Sequence, residues 1–386
     1  MIVGVGEDGH GGLPDASRDA LARAEVVMGP ARHLALVPGG AERVEWPVPF
    51  AEGIALLLAM RGRRVVVLAS GDPFWFGAGS VIVRHLAPGE WRAIPGVSVL
   101  ALACARLGWA SEAVLAMGLH AAPLTRLRPH LAPGLRAVLT LRDGAAVADL
   151  AGYLAAEGFG DSLLHVMEAL GGPRERLRRV AARAYTLDDV AHPVAVAVEV
   201  TGAGATLGRA SGRADAWFEN DGQITKRPVR ALALSALAPR AGEVLWDIGA
   251  GSGSIGIEWM LAHPTCRAIG FEGDPARAAR ARANAARLGV SLEVIEGRAP
   301  LVLVGQPRPD AVFIGGGLSR EVVAALPAGV RLVAHAVTLE SEALLAQLQA
   351  ERGGTLLRIE LAEAAPLGRL RGWKASYPVV QWSVTL

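Results

Sequence analysis

Short apolar runs, each ending in a turn rich in glycine and most followed by helical spacing, recur along this chain. The alternation predicts an α/β protein. In the first half, Ile2 to Val5 reads as a strand entering Gly6-Glu-Asp-Gly9, followed by a helix over Leu13–Ala24 and a strand over Glu25–Met28. Arg64 to Leu68 is another strand, ending in Ala69-Ser-Gly-Asp-Pro-Phe-Trp-Phe-Gly77. A loop carrying Phe74, Trp75 and Phe76 at a strand's carboxyl end is where an open α/β sheet places its ligand. A second series begins near Leu135: a strand over Ala137–Leu141, a helix over Ala145–Ala156, and strands over Ser162–Met167 and Val194–Val200. Thr201 to Gly208 has neither period and reads as a linker continuing to Ala216, which divides the chain into 1–200 and 217–386.

The second half opens with a helix: Val229, Leu232 and Ala236 share a face and Pro228 suits a first turn. Strands follow over Val244–Ile248, Arg267–Phe271, Leu292–Ile295, Asp310–Ile314 and Arg331–Ala334. A helix over Leu339–Ala350 precedes a closing antiparallel pair, Leu356–Leu361 with Tyr377–Thr385. The most informative stretch is Val244-Leu-Trp-Asp-Ile-Gly-Ala-Gly-Ser-Gly253, a strand, a glycine turn and the start of a helix. Glycines there let the backbone turn tightly and approach a ligand. A dinucleotide fingerprint would require glycine at position 254, which is Ser254. Glu272 ends the next strand, where a carboxylate can accept both hydroxyls of a ribose. Asp274 as N-cap, Pro275 at the first position and Gly289 past the end frame the following helix.

Composition narrows the partners. Hydrophobic residues make up 52% and charged residues 20%, as expected of a well-packed protein. A net charge of +2 gives no basic footprint for nucleic acid. Cys104 and Cys266, far apart, match no metal spacing and read as reduced core residues. No apolar run approaches membrane-spanning length and no targeting segment is evident, so a cytoplasmic protein is expected.

Two resemblances sharpen this. The ordered set Gly4-Val-Gly-Glu-Asp-Gly9, Ser70-Gly-Asp-Pro73, Pro95-Gly-Val-Ser98 and Glu168 to Arg176 resembles the tetrapyrrole methylase family. That implies a fold of two α/β subdomains with S-adenosylmethionine in the cleft between them, and Gly71, Asp72, Gly77, Ser98 and Leu119 as cofactor-binding positions. In the second half, Gln223-Ile-Thr-Lys226 and Asp247 to Gly253 resemble the C-15 methylating and decarboxylating methyltransferases of cobalamin synthesis. That implies a seven-stranded Rossmann-like methyltransferase domain binding S-adenosylmethionine through Thr225, Gly249, Ala250, Gly251, Ser252, Gly253, Glu272 and Ala299. Pro228 and His335 depart from that pattern, which has an acid and an asparagine there.

The fusion implies one S-adenosylmethionine per domain and a small tetrapyrrole substrate. By the same resemblance, methylation at C-5 is expected of the first half, and methylation at C-15 with decarboxylation of the ring C acetate of the second. Arg227 and Arg230, with Lys226, are candidate ligands for substrate carboxylates, as are Arg369, Arg371 and Lys374 beside Trp373; solvated surface charge is the plain alternative. His335 is either an acid or carboxylate donor at a strand end, or a packed structural histidine. Asp72 either contacts the cofactor or orients its own loop, and His120 is open. The resemblance further implies a homo-oligomer and no bound metal. The rival readings are the same chemistry on cobalt-containing intermediates, an RNA methyltransferase, and a nicotinamide-dependent oxidoreductase.

Overall fold

The computed structural model describes residues 1–386. The chain divides into two compact units, Met1–Leu124 with Leu131–Ala205, and Thr125–His130 with Thr206–Leu386. The stretch 201–216, expected as a linker, is ordered into the second unit from Thr206 onward. Leu207 lies in that unit's core, and the backbone N–H groups of Gly212 and Arg213 donate to the buried Glu258 carboxylate. Such a segment has no period to read, because its order comes from side chains elsewhere in the chain.

The first unit holds two five-stranded sheets. The first is built from β1 (Ile2–Val5), β2 (Val26–Gly29), β3 (Glu42–Glu45), β4 (Val65–Ser70) and β5 (Ala93–Ile94), in the order β3-β2-β4-β1-β5, every pairing parallel. Helices α1 (Asp15–Ala22), α2 (Ala31–Ala35), α3 (Phe50–Ala59) and α4 (Gly79–Ile82) belong to this part. Val66, Val67, Leu68 and Ala69 are all buried, the continuous apolar run that a parallel strand covered on both faces needs.

After α5 (Val99–Leu107), the second sheet takes β6 (Leu115–Gly118), β7 (Arg136–Leu141), β8 (Leu163–Glu168), β9 (Arg176–Ala181) and β10 (Val194–Glu199), with α6 (Gly144–Ala156). Its order is β6-β7-β10-β8-β9, parallel only between β6 and β7.

The second unit comprises α7 (Arg227–Leu237), β11 (Val244–Ile248), α8 (Ser254–Ala262), β12 (Arg267–Glu272), α9 (Pro275–Arg287), β13 (Glu293–Glu296), β14 (Ala311–Ile314), α10 (Arg320–Ala324), β15 (Arg331–Ala336), α11 (Leu339–Arg352), β16 (Thr355–Ile359), β17 (Ala362–Leu367), β18 (Leu370–Ala375) and β19 (Val379–Thr385). One seven-stranded sheet runs β13-β12-β11-β14-β15-β19-β16, with β19 antiparallel to both neighbours. Strand order reverses at β11, which has β12 on one side and β14 on the other; open α/β sheets bind ligands at the carboxyl end of such a strand.

The core packs on both faces of the sheet, with Trp259 and Phe313 on one and Trp246 and Trp382 on the other. The hairpin β17–β18 forms a small sheet of its own. Each unit buries one free cysteine, Cys104 in the first and Cys266 in the second. No helix is long and apolar enough to cross a membrane.

Candidate active sites

In the second unit the loop after β11 is built for close approach. Gly249, Gly251 and Gly253 hold φ of +71°, +56° and +75°, values that side chains with a Cβ resist. A Cβ on Gly249 would lie 2.6 Å from the Gly316 nitrogen, so the loops after β11 and β14 touch backbone to backbone. Gly251 is the opposite case. A Cβ there would meet nothing nearer than the carbonyl oxygens of Gln223 at 3.9 Å and Gly249 at 4.0 Å. That open space, bordered by two acceptors, is the cradle a donor with a cationic amino group fits.

Glu272, buried at the end of β12, accepts from Gly251 N–H at 2.8 Å and Asp274 N–H at 2.9 Å. Each of its oxygens retains a lone pair for a ribose hydroxyl. Beneath the loop, Asp247 is sealed from solvent; burial pushes its pKa up to about 7, against the pull of the Gly256 N–H it accepts at 2.9 Å. Ala299, just past β13, packs against the core on the face that holds Trp246 and Trp382.

His335 lies near the end of β15. Its Nε2 is 3.0 Å from Gln381 Oε1, and its ring meets Phe313 edge-on with centroids 5.0 Å apart. Burial lowers its pKa, the Gln381 hydrogen bond opposing, so the ring is neutral. Nε2 donates to the Gln381 oxygen in that pairing, which leaves Nδ1 as the ring's acceptor.

One substrate expectation is corrected. Arg230 is 0% exposed and held by Glu258 and Asp215, which leaves it no reach to a substrate carboxylate. Arg227 is exposed, with Nε donating to the Gly212 carbonyl at 2.8 Å. Arg369, Arg371 and Lys374 sit on the separate hairpin, where Trp373 is 79% exposed.

The first unit contains a cavity of 490 Å³. Gly71, Asp72 and Gly77 line it, as does the aromatic pair Trp75 and Phe76. Asp72 Oδ1 accepts from Phe74 N–H at 2.8 Å, so this carboxylate orients its own loop while facing the cavity. Ser98 is a correction: its hydroxyl caps α5 by accepting from Ala101 N–H at 3.2 Å, and Val97 and Val99 line the wall instead. Leu119 lines a smaller adjoining pocket of 300 Å³ that shares His120, Leu141 and Arg142 with the main one.

A polar group that the sequence reading missed also faces this cavity. Buried Glu7 bonds Arg32, whose Nη2 donates to Ser70 Oγ at 3.0 Å and to His33 Nε2 at 2.7 Å. Burial and the Arg32 charge lower the His33 pKa to about 3, which keeps it neutral. The sequence signal was available, since Arg32 and His33 come just after Pro30 and Ala31 at the carboxyl end of the β2 run.

A glycine cradle at a switch point, and a cavity at the carboxyl ends of a separate parallel sheet, give one α/β chain two candidate ligand sites. Residues 1–204 match the family described as Tetrapyrrole (Corrin/Porphyrin) Methylases, and residues 216–386 the Precorrin methyltransferase domain. A Sinorhizobium protein named precorrin-6Y C(5,15)-methyltransferase [decarboxylating] is 50% identical over this whole chain and 95% of its own length. The chain belongs to the family of decarboxylating precorrin-6Y C(5,15)-methyltransferases.

Two shorter relatives each match less than half of the chain. A cobalt-precorrin-7 C(5)-methyltransferase of Salmonella typhimurium is 29% identical, over 48% of this chain and 92% of its own. A probable cobalt-precorrin-6B C(15)-methyltransferase (decarboxylating) of Pyrobaculum calidifontis is 37% identical, over 31% of this chain and 65% of its own. A methyltransferase family implies S-adenosylmethionine as methyl donor.

Proposed function

We propose that this chain methylates a precorrin at C-5 in its first unit, and at C-15 in its second with decarboxylation of the ring C acetate, to give precorrin-8. One S-adenosylmethionine serves each unit. The observation that carries this is the fusion itself, aligned end to end with a relative named for both methylations. The existence of shorter relatives named for one carbon each supports a division of labour.

The donor supplies a methyl group activated by a positively charged sulfur. Meso carbons of a reduced tetrapyrrole are enamine-like, so transfer needs alignment and exclusion of water more than a strong base. In the second unit Glu272 and the Gly249–Gly253 turn hold the donor, and the Gln223–Thr225 peptide borders it. In the first, the Gly71–Gly77 loop and Val97 form the wall that aligns it. His335, Arg227 and Lys226 are the groups offered to the substrate. The cytoplasm and a homo-oligomer complete the proposal.

The test is mass spectrometry of the corrinoid product from the full chain. Gly251→Val fills the second cradle and should abolish CO2 release. Gly71→Val, where a Cβ would lie 2.7 Å from the Val97 carbonyl, should keep CO2 release and lose one methyl. CO2 release from the Gly251→Val chain would sink this assignment. The relatives named for cobalt-precorrins favour a second reading, in which the substrate carries cobalt. Turnover of metal-free against cobalt-containing substrate decides it.

A further inference from the structure

Arg230 departs most from the sequence expectation, and its surroundings say what it does. Its Nε donates to Glu258 Oε1 at 2.7 Å and its Nη1 to the Thr225 carbonyl. Nη2 donates to the Arg213 carbonyl and, at 3.0 Å, to Asp215 Oδ1. The guanidinium also stacks over Phe218, 4.8 Å from the ring centroid. Glu258, itself 1% exposed, accepts from Gly212 and Arg213 N–H at 2.8 and 2.9 Å. Glu258 belongs to α8, the helix that leaves the glycine loop.

One planar cation therefore joins three segments: the incoming 212–215 stretch, the Gln223–Thr225 peptide and α8. Only a guanidinium presents donors in three fixed directions from one centre. Burying an ion pair is a poor source of stability by itself, because both charges lose their water. What this pair secures is geometry. The outer end of the same peptide is held separately, by Arg277, whose Nε donates to Asp221 Oδ2 and Nη2 to Gln223 Oε1, both at 2.8 Å. Between these anchors the Gln223 carbonyl borders the open space over Gly251.

We infer that Arg230, clamped by Glu258, is a positioning residue for the methyl donor in the second unit. It acts through the Thr225 carbonyl, fixing the peptide that closes one side of the Gly251 cradle. This rests on the reading that the second unit binds S-adenosylmethionine, and it assigns Arg230 to the donor where the sequence suggested the substrate.

The test is calorimetric titration of the full chain with S-adenosylmethionine, alongside thermal melting without ligand. Arg230→Lys keeps a charge beside Glu258 but cannot reach Thr225, Arg213 and Asp215 together. One of the two sites should weaken about tenfold while the other holds its affinity. The double variant Arg230→Gln with Glu258→Gln replaces the Arg230–Glu258 charge pair by neutral amides and keeps an oxygen that accepts from the Gly212 and Arg213 N–H groups. It should melt below the wild type, since buried Arg213 loses its Glu258 partner, yet unfold in a cooperative transition and show the same loss of affinity. In turnover, KM for the donor in CO2 release should rise about tenfold with kcat nearly unchanged.

Wild-type affinity at both sites in either folded variant would overturn the inference. A wild-type chain that binds donor twice but releases no CO2 from a precorrin would instead overturn the proposed function, leaving the calorimetry to judge Arg230.

Discussion

Asp247 carries a proton that the unfolded chain would have lost. Unfolded, an aspartate ionises near 3.9; folded, this one titrates at about 7. Between those values the native state binds the extra proton. Its contribution to stability is therefore full below about pH 4 and is lost as pH rises through 7, by at most about 1.4 kcal/mol per pH unit. Asp247→Asn should remove that slope: between pH 5 and 8, its melting temperature in calorimetry should fall less than the wild type's. Gly251→Ala should cost about 1–2 kcal/mol for the left-handed backbone alone, with donor affinity reduced at one site in the same titration.

These glycines were legible because a tight turn after a strand leaves few other residues possible. Arg230 was misread because a basic cluster looks alike whether solvated or buried. Its helical spacing told otherwise: Arg230, Ala233, Leu234 and Leu237 fall at i, i+3, i+4 and i+7, and all are buried.

Among elements, the β11–α8 and β12–α9 units were plain, since an apolar run, a turn and a capped helix each signal independently. Asp274 caps α9 as expected, accepting from Ala276 and Arg277 N–H at 2.8 and 3.1 Å. Among the elements not foreseen are the β17–β18 hairpin and β9. The hairpin β17–β18 has mostly exposed residues on both faces, so no alternation marks it.

β9, Arg-Leu-Arg-Arg-Val-Ala, hides its edge position behind three arginines. Arg176 and Arg178 converge on the buried Glu168 of β8, which also accepts from Ala191 N–H at 2.8 Å just before His192, a residue of the cavity wall. Such contacts run between neighbouring strands and the loop beyond them, and leave no local period. Glu168→Ala should destabilise the first unit by about 3 kcal/mol. Hydrogen exchange should show β8–β10 losing protection while β11–β15 keep theirs.

For the molecule as a whole, the aperiodic, turn-rich stretch from Thr201 and the fresh run of helix and strand patterns after it are what divided the chain in the sequence. The boundary was harder, because residues 206–216 are ordered by Glu258 and the core of the second unit. The proposed pair of donor sites makes a thermodynamic prediction. Ligand at a hundred times its dissociation constant stabilises a native unit by about 2.7 kcal/mol. Scanning calorimetry of the wild type should show both units melting later with S-adenosylmethionine, and Gly251→Ala should blunt the shift of the second unit alone.

The pair of buried thiols gives each half its own chemical clock. Cys104 is 5% and Cys266 3% exposed, and Cys266 Sγ also donates to the Arg240 carbonyl. A thiol reagent reaches either sulfur only when the surrounding half opens, so labelling rates read the opening of each half separately within one unmodified chain. Peptide mapping of the label would then date which half loosens first under heat, denaturant or substitution, with no probe introduced.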